Sequence, residues 1–201
     1  MANPTLDMKA SRYFYFRELV KSDTAVKLGI NNTPKTKAVW DSLQNVATNI
    51  LDPARDKFGP FSPTNCYRCP ELEYAINQGN PDNLKSAFYN WCQKNWKTTA
   101  INRDTLTYGS DAWLAYMERK SHPKGEAVDF EIGRPEVTTL KLAEWVRDNL
   151  PVYDQIILEC YNKADPNSGW VHGSMRLDPT KNRKELLTIS STWVTKPGFI
   201  V

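Results

Sequence analysis

The stretch from Ser121 to Ile132, Ser-His-Pro-Lys-Gly-Glu-Ala-Val-Asp-Phe-Glu-Ile, restricts the fold more than any other part of the chain. Gly125 offers a turn, and from Glu126 onward apolar and polar residues alternate. A strand has that period, so Val128, Phe130 and Ile132 share one face while Ala127, Asp129 and Glu131 share the other. The apolar face must lie on a core. Asp129 is thereby presented on the opposite side, beside an alanine small enough to leave room for an ion.

The elements that could supply that core follow from periodicity. After Asn31-Asn32-Thr33-Pro34, residues Val39, Leu43, Val46, Ile50 and Leu51 form one helical stripe, which is predicted to end before Pro53 or to continue, kinked, towards Gly59. Ahead of it, Phe16, Leu19, Val20, Val26 and Leu28 predict a short helical segment broken near an N-cap at Ser22-Asp23 and closed by Gly29. Phe61 to Tyr67 is a strand candidate, with Arg68 at its end. Further helices are predicted over Asn83 to Trp96 and Ser110 to Arg119, inside an aromatic-rich region in which residues 78 to 119 form an insertion or lid. Trp91, Trp96 and Trp113 there suit packing better than a sugar-stacking platform.

Pro135 and Glu136 open an amphipathic helix carrying Val137, Leu140, Leu142, Trp145 and Val146, which Pro151 closes. Gln155 to Tyr161 and Gly169 to Ser174 read as strands of a hairpin around the turn-rich residues 162 to 168. Glu185 to Ser191 is a last strand, and Pro197-Gly198 is expected to fray. The expectation is a single α+β domain over residues 1–201, with a small antiparallel sheet flanked by helices.

Composition narrows the function classes. A chain of 201 residues, 40% hydrophobic and 24% charged, can bury one sizeable core. No apolar run approaches the roughly 18 residues of a membrane span, and Met1 to Arg12 has no signal-peptide pattern, so synthesis in the cytoplasm and no membrane insertion are expected. The net charge of +3 comes from scattered Lys and Arg, which argues against a nucleic-acid partner. A monomer is expected. Cys66, Cys69, Cys92 and Cys160 could form disulfides or a four-thiolate zinc site, but no second Cys-x-x-Cys exists, and reduced, partly buried thiols are the expectation.

The chain has two histidines. His122 stands seven residues before Asp129, and His172 lies in Trp170-Val-His-Gly. Two imidazoles and a carboxylate are the kind of three-ligand set that holds a catalytic zinc ion and leaves one position for water. Such a water becomes acidic enough to provide hydroxide near neutral pH. The remaining needs are a carboxylate to move protons and a cation for the developing oxyanion.

His122-Pro-Lys-Gly125-Glu-Ala127-Val-Asp129 matches the H-x-x-G-x-A-x-D signature of the M15 family of zinc D-Ala-D-Ala carboxypeptidases and related peptidoglycan peptidases, bacteriophage endolysins among them. Trp170-Val-His172 resembles the segment with that family's last zinc ligand, and Cys66-Tyr67-Arg68 resembles its S-G-Y-R segment. Phe16-Arg-Glu-Leu, Ser22, Ala25 and Gly29-Ile-Asn-Asn resemble its phage-type branch. The resemblance implies a Hedgehog/DD-peptidase-like fold, zinc on His122, Asp129 and His172, and Arg68 against a substrate carboxylate or carbonyl. It also implies hydrolysis of peptidoglycan stem peptides, by a D-Ala-D-Ala carboxypeptidase or an L-Ala-D-Glu-type endopeptidase. A phage lysin would act at the bacterial cell wall after release or as part of a virion.

Three positions depart from the family pattern. Lys120 stands where a serine is usual, Asn65-Cys66 replaces Ser-Gly, and Gly169 occupies the place of the catalytic acid three residues before the last histidine. The base is therefore expected at Glu159, with Asp165 as the second candidate. If neither serves, the chain is a non-catalytic virion structural or wall-binding protein that keeps the fold, with or without the metal.

Overall fold

The computed structural model describes residues 3–97 and 100–200. The chain begins with two short helices, α1 (Phe16–Leu19) and α2 (Asp23–Leu28). The Ser22 side chain caps α2 by accepting from the Ala25 N–H, and Gly29 ends it in the left-handed conformation. Next comes α3 (Lys37–Val46), and helical structure continues past Pro53 towards Gly59, the second of the two alternatives. Proline has no N–H to donate to Asn49 and its ring crowds that carbonyl, so the chain widens into a π turn over Ala47–Leu51 before α4 (Asp52–Phe58). Asp52 N–H then reaches back to the Ala47 carbonyl.

Residues 61 to 67 form no strand, contrary to their predicted conformation. Pro63 cannot donate to a ladder, and the segment instead crosses the free edge of the sheet with one bridge, Asn65 to Asp129. An unanticipated helix, α5 (Pro70–Asn77), follows; α6 (Ala87–Asn95) and α7 (Asp111–Met117) fall inside their predicted ranges. Tyr74, Phe88, Cys92, Leu106, Trp113 and Tyr116 form an apolar cluster separate from the main core. Trp113, 1% exposed, meets Tyr74 and Phe88 edge-on, so it packs and offers no face to a sugar.

The strands are β1 (Ala127–Phe130), β2 (Gln155–Glu159), β3 (Trp170–Ser174), β4 (Glu185–Ile189) and β5 (Thr195–Pro197), ordered β1-β3-β2-β4-β5. Between β1 and β2 runs α8 (Thr139–Asn149), which starts later than Pro135-Glu136 because Thr138 is the residue whose side chain caps it. The β2–β3 hairpin pairs as expected, but the sheet is mixed rather than antiparallel: β4 runs parallel to β2. Ser174 and Glu185 both register with Gln155, so residues 175–184 need only pass around one end of β2 before β4 sets off in its direction. Pro197-Gly198 does not fray as predicted, since the open edge of β4 takes up β5 and Gly198 N–H donates to the Leu186 carbonyl at 2.8 Å.

The 175–184 crossing is tied down by Asp154, 2% exposed, which accepts from Arg176 Nε at 3.1 Å, Arg183 N–H at 2.9 Å and Arg183 Nη2 at 2.5 Å. Burial works to raise the Asp154 carboxyl, but Arg183 and Arg176 hold it below its ordinary value. A carboxyl depressed in the folded state stabilises the fold above the unfolded value of about 4 and loses that contribution as pH falls through the folded one. Asp154→Asn should cost about 2 kcal/mol at pH 7 in urea unfolding, less than a fully buried pair because both arginines are partly exposed. The gap from wild type should shrink at pH 3; an undiminished gap would refute the ionic origin.

Residues opposed in register share a face. Val128, Phe130, Ile156, Leu158 and Val171, all fully buried, form the core face with α3, the π turn and α8, each large side chain contributing about 1.5–3 kcal/mol by burial. Asp129, His172, Ile157, Glu159 and Trp170 share the other face. That face is not open at β1 either: Ala127 and Asp129 are buried there, with Asn65 and His122 lying against Asp129. Among the described residues no helix is long and apolar enough to cross a membrane.

Candidate metal centre

Three elements bring the site together. His122 opens a 3-10 turn, His122–Lys124, which Gly125 closes at φ 70°. A side chain at Gly125 would meet the Val39 carbonyl at 2.8 Å as well as the wrong backbone region, so only glycine lets the turn sit on α3. Asp129 and His172 are direct register partners on β1 and β3. His122, Asp129 and His172 are buried, and one ligand atom from each lies within 4.8 Å of the others. Among the described residues this is the only such group, and the four cysteines are free and take no part.

The distances suit a small cation. His122 Nε2 is 3.3 Å and His172 Nδ1 2.9 Å from Asp129 Oδ1. Two atoms each about 2.0–2.1 Å from a tetrahedral zinc lie about 3.3 Å apart, so little movement would be needed. The tautomer of His122 is set by the backbone: its Nδ1 lies 2.5 Å from the Cys66 carbonyl, which can only accept, so the proton is on Nδ1 and Nε2 is bare. Burial lowers the His122 pKa despite Asp129 beside it, which favours the neutral imidazole that ligates. Burial acts to raise Asp129, yet His122 and His172 hold it well below the usual carboxylate range. Its second oxygen, Oδ2, accepts from Asn65 Nδ2 at 3.1 Å and faces Arg68 Nη2 at 3.7 Å.

Glu159 lies on the same face, with Oε1 3.9 Å from His172 Nδ1. Burial raises its pKa, opposed by His172 and reinforced by Asp129. The structure also explains Gly169. A Cβ there would stand 2.0 Å from the Glu159 carbonyl, at φ 71°, so the hairpin closes only with glycine and a carboxylate at 169 has no room. Glu159 opposes Trp170 across the hairpin and reaches the histidine from the neighbouring strand. Asp165 is not brought in: it is exposed in the 162–168 turn, where its N–H donates to the Asn162 carbonyl at 2.9 Å. A cavity of about 310 Å³ lined by Thr64, Asn65, Asp129, Glu131 and Trp170 opens beside the group.

Arg68 reaches the site, and two residues outside the sequence prediction put it there. Asn32 is buried and donates to the Val20 and Tyr67 carbonyls at 2.8 and 2.9 Å while accepting from Cys69 N–H at 2.7 Å, fixing the backbone on both sides of Arg68. Glu73 on α5 lies 3.2 Å from Arg68 Nη1. Burial acts to raise its carboxyl, but Arg68 and Lys120 hold it below its ordinary value. Pro70 followed by Glu71 and Glu73 is a helix-start pattern that could have located α5, whereas nothing local marks Asn32 as buried. No family model matches the chain, and neither a curated protein nor a solved structure does.

Proposed function

We propose that this chain is a zinc-dependent peptidase of Hedgehog/DD-peptidase-like fold that hydrolyses peptide bonds in peptidoglycan stem peptides. One observation carries the reading: a buried His122–Asp129–His172 group, with atoms spaced for one ion, has a carboxylate of raised pKa, Glu159, at its edge. The eight-residue match from His122 to Asp129 supports the choice of substrate class.

When bound, zinc supplies Lewis acidity for a scissile carbonyl and acidifies a water molecule. Glu159 Oε1 takes the proton of the attacking water as its oxygen adds to the carbonyl carbon. It then returns that proton to the amine nitrogen as the C–N bond breaks. Burial suits Glu159 to both tasks, because it raises proton affinity towards working pH. Arg68 is held by two acids but keeps further N–H donors, and with these it steadies the substrate carboxylate or the oxyanion. Asn65 holds Asp129 Oδ2 and so keeps Oδ1 turned to the histidines.

Mass spectrometry of peptidoglycan digested with zinc-loaded protein tests the reading. Released fragments should identify a D-Ala-D-Ala or L-Ala-D-Glu-type cut. Stem peptides left intact after prolonged incubation would instead make this a wall-binding or virion structural protein.

A further inference from the structure

We propose that Glu73 is a positioning residue for the metal centre, and that α6 and α7 of the insertion are a buttress holding it in place. The proposal rests on the metal reading above. Glu73 is the anion of a chain that runs from the aromatic cluster to a candidate ligand. Tyr116 hydroxyl donates to Asn77 Oδ1 at 2.9 Å, and Asn77 Nδ2 donates to Glu73 Oε1 at 2.9 Å. Glu73 Oε2 lies 3.2 Å from Arg68 Nη1, and Arg68 Nη2 faces Asp129 Oδ2 at 3.7 Å. Lys120, just beyond α7, closes a side loop: its Nζ is 3.4 Å from Glu73 Oε1, donates to Asn77 Oδ1 at 3.2 Å and lies over the Tyr116 ring.

Two physical consequences follow. The first is charge. Arg68 and Lys120 bring two cations to the rim of a group suited to a dication, and in a water-poor site that repulsion is felt strongly. The Glu73 side chain, 2% exposed, cancels one of them from the side away from the ligands. The second is direction. With Nη1 committed to Glu73, the guanidinium presents Nη2 to the outer oxygen of Asp129, which leaves Oδ1 for the ion. Tyr116 is itself packed against Phe88, Trp91 and Trp113, so the insertion transmits its rigidity to Arg68 through Asn77 and Glu73.

A residue that merely fills space would act by shape, whereas this one acts by charge, and compensation separates the two. Zinc dissociation constants of the full chain, measured by competition with a chromogenic chelator, should weaken about tenfold or more in Glu73→Gln, the range seen when groups behind metal ligands are removed. Lys120→Met should tighten zinc several-fold, and Glu73→Gln/Lys120→Met should return to within about threefold of wild type. Tyr116→Phe should weaken zinc about two- to threefold. Zinc affinity of Glu73→Gln within about twofold of wild type, or a double variant no better than the single, would overturn the proposal. If Glu73→Gln does not fold, unchanged affinity in both Lys120→Met and Tyr116→Phe overturns it instead. A wild type that takes up no zinc overturns the metal reading itself, whereas zinc binding without hydrolysis leaves this proposal standing and removes only the peptidase.

Discussion

Glu159→Gln is expected to keep its zinc and to lose a factor of about 10² to 10⁴ in the rate of stem-peptide hydrolysis, the contribution typical of a positioned acid–base group. The amide has the shape of the acid but cannot take a proton from water. Among the described residues Glu159 makes no ion pair with Lys or Arg; its Oε1 lies 3.9 Å from His172 Nδ1, and burial raises its proton affinity. The substitution should thus leave the fold and the ligands alone. Kinetics on a purified stem peptide, with zinc content measured on the same sample, check this. Near-normal turnover would remove Glu159 from the mechanism, and loss of zinc would mean that it helps hold the ion.

His172→Ala is expected to abolish both zinc and hydrolysis. Wild type should carry about one equivalent by elemental analysis, and the variant well under half, because three protein ligands are the usual minimum for a catalytic zinc. The same loss should appear thermodynamically. An ion present at 100 times its Kd stabilises the folded state by about 2.7 kcal/mol, so zinc should raise the melting temperature of wild type and leave that of His172→Ala unmoved. A full equivalent of zinc in both His122→Ala and His172→Ala would sink the site.

How much of this was legible in the sequence differs from element to element. The stripe from Val39 to Leu51 and the alternation from Glu126 to Ile132 located α3 and β1, since local periodicity reports which face is buried. Alternation could not say that the Asp129 face of β1 is buried as well, because that depends on residues 64–66 crossing from far away in sequence. The parallel pairing of β4 was hidden for a like reason: Asp154 and its two arginines anchor the crossing, and no short window contains all three. Glu73 was missed because α5 was missed. Even with that helix in hand, its spacing to Arg68 would not have revealed that Lys120 shares it.

The base shows the difference most clearly. Gly169 reads as a gap in a motif, and only the packed hairpin shows why no side chain can fill it: no Cβ fits at 169, and Glu159, the proposed base, stands opposite Trp170. By itself the sequence determined the ligand candidates and the strand that presents Asp129, because spacing along one chain dictates facing in a strand and a turn. Tertiary structure alone decided which oxygen of Asp129 faces the histidines, which nitrogen of His122 is bare, that Asp165 stays outside, and what restrains Arg68. The choices of oxygen and nitrogen depend on contacts between residues 43 to 64 positions apart, which pairing and burial set and periodicity does not record.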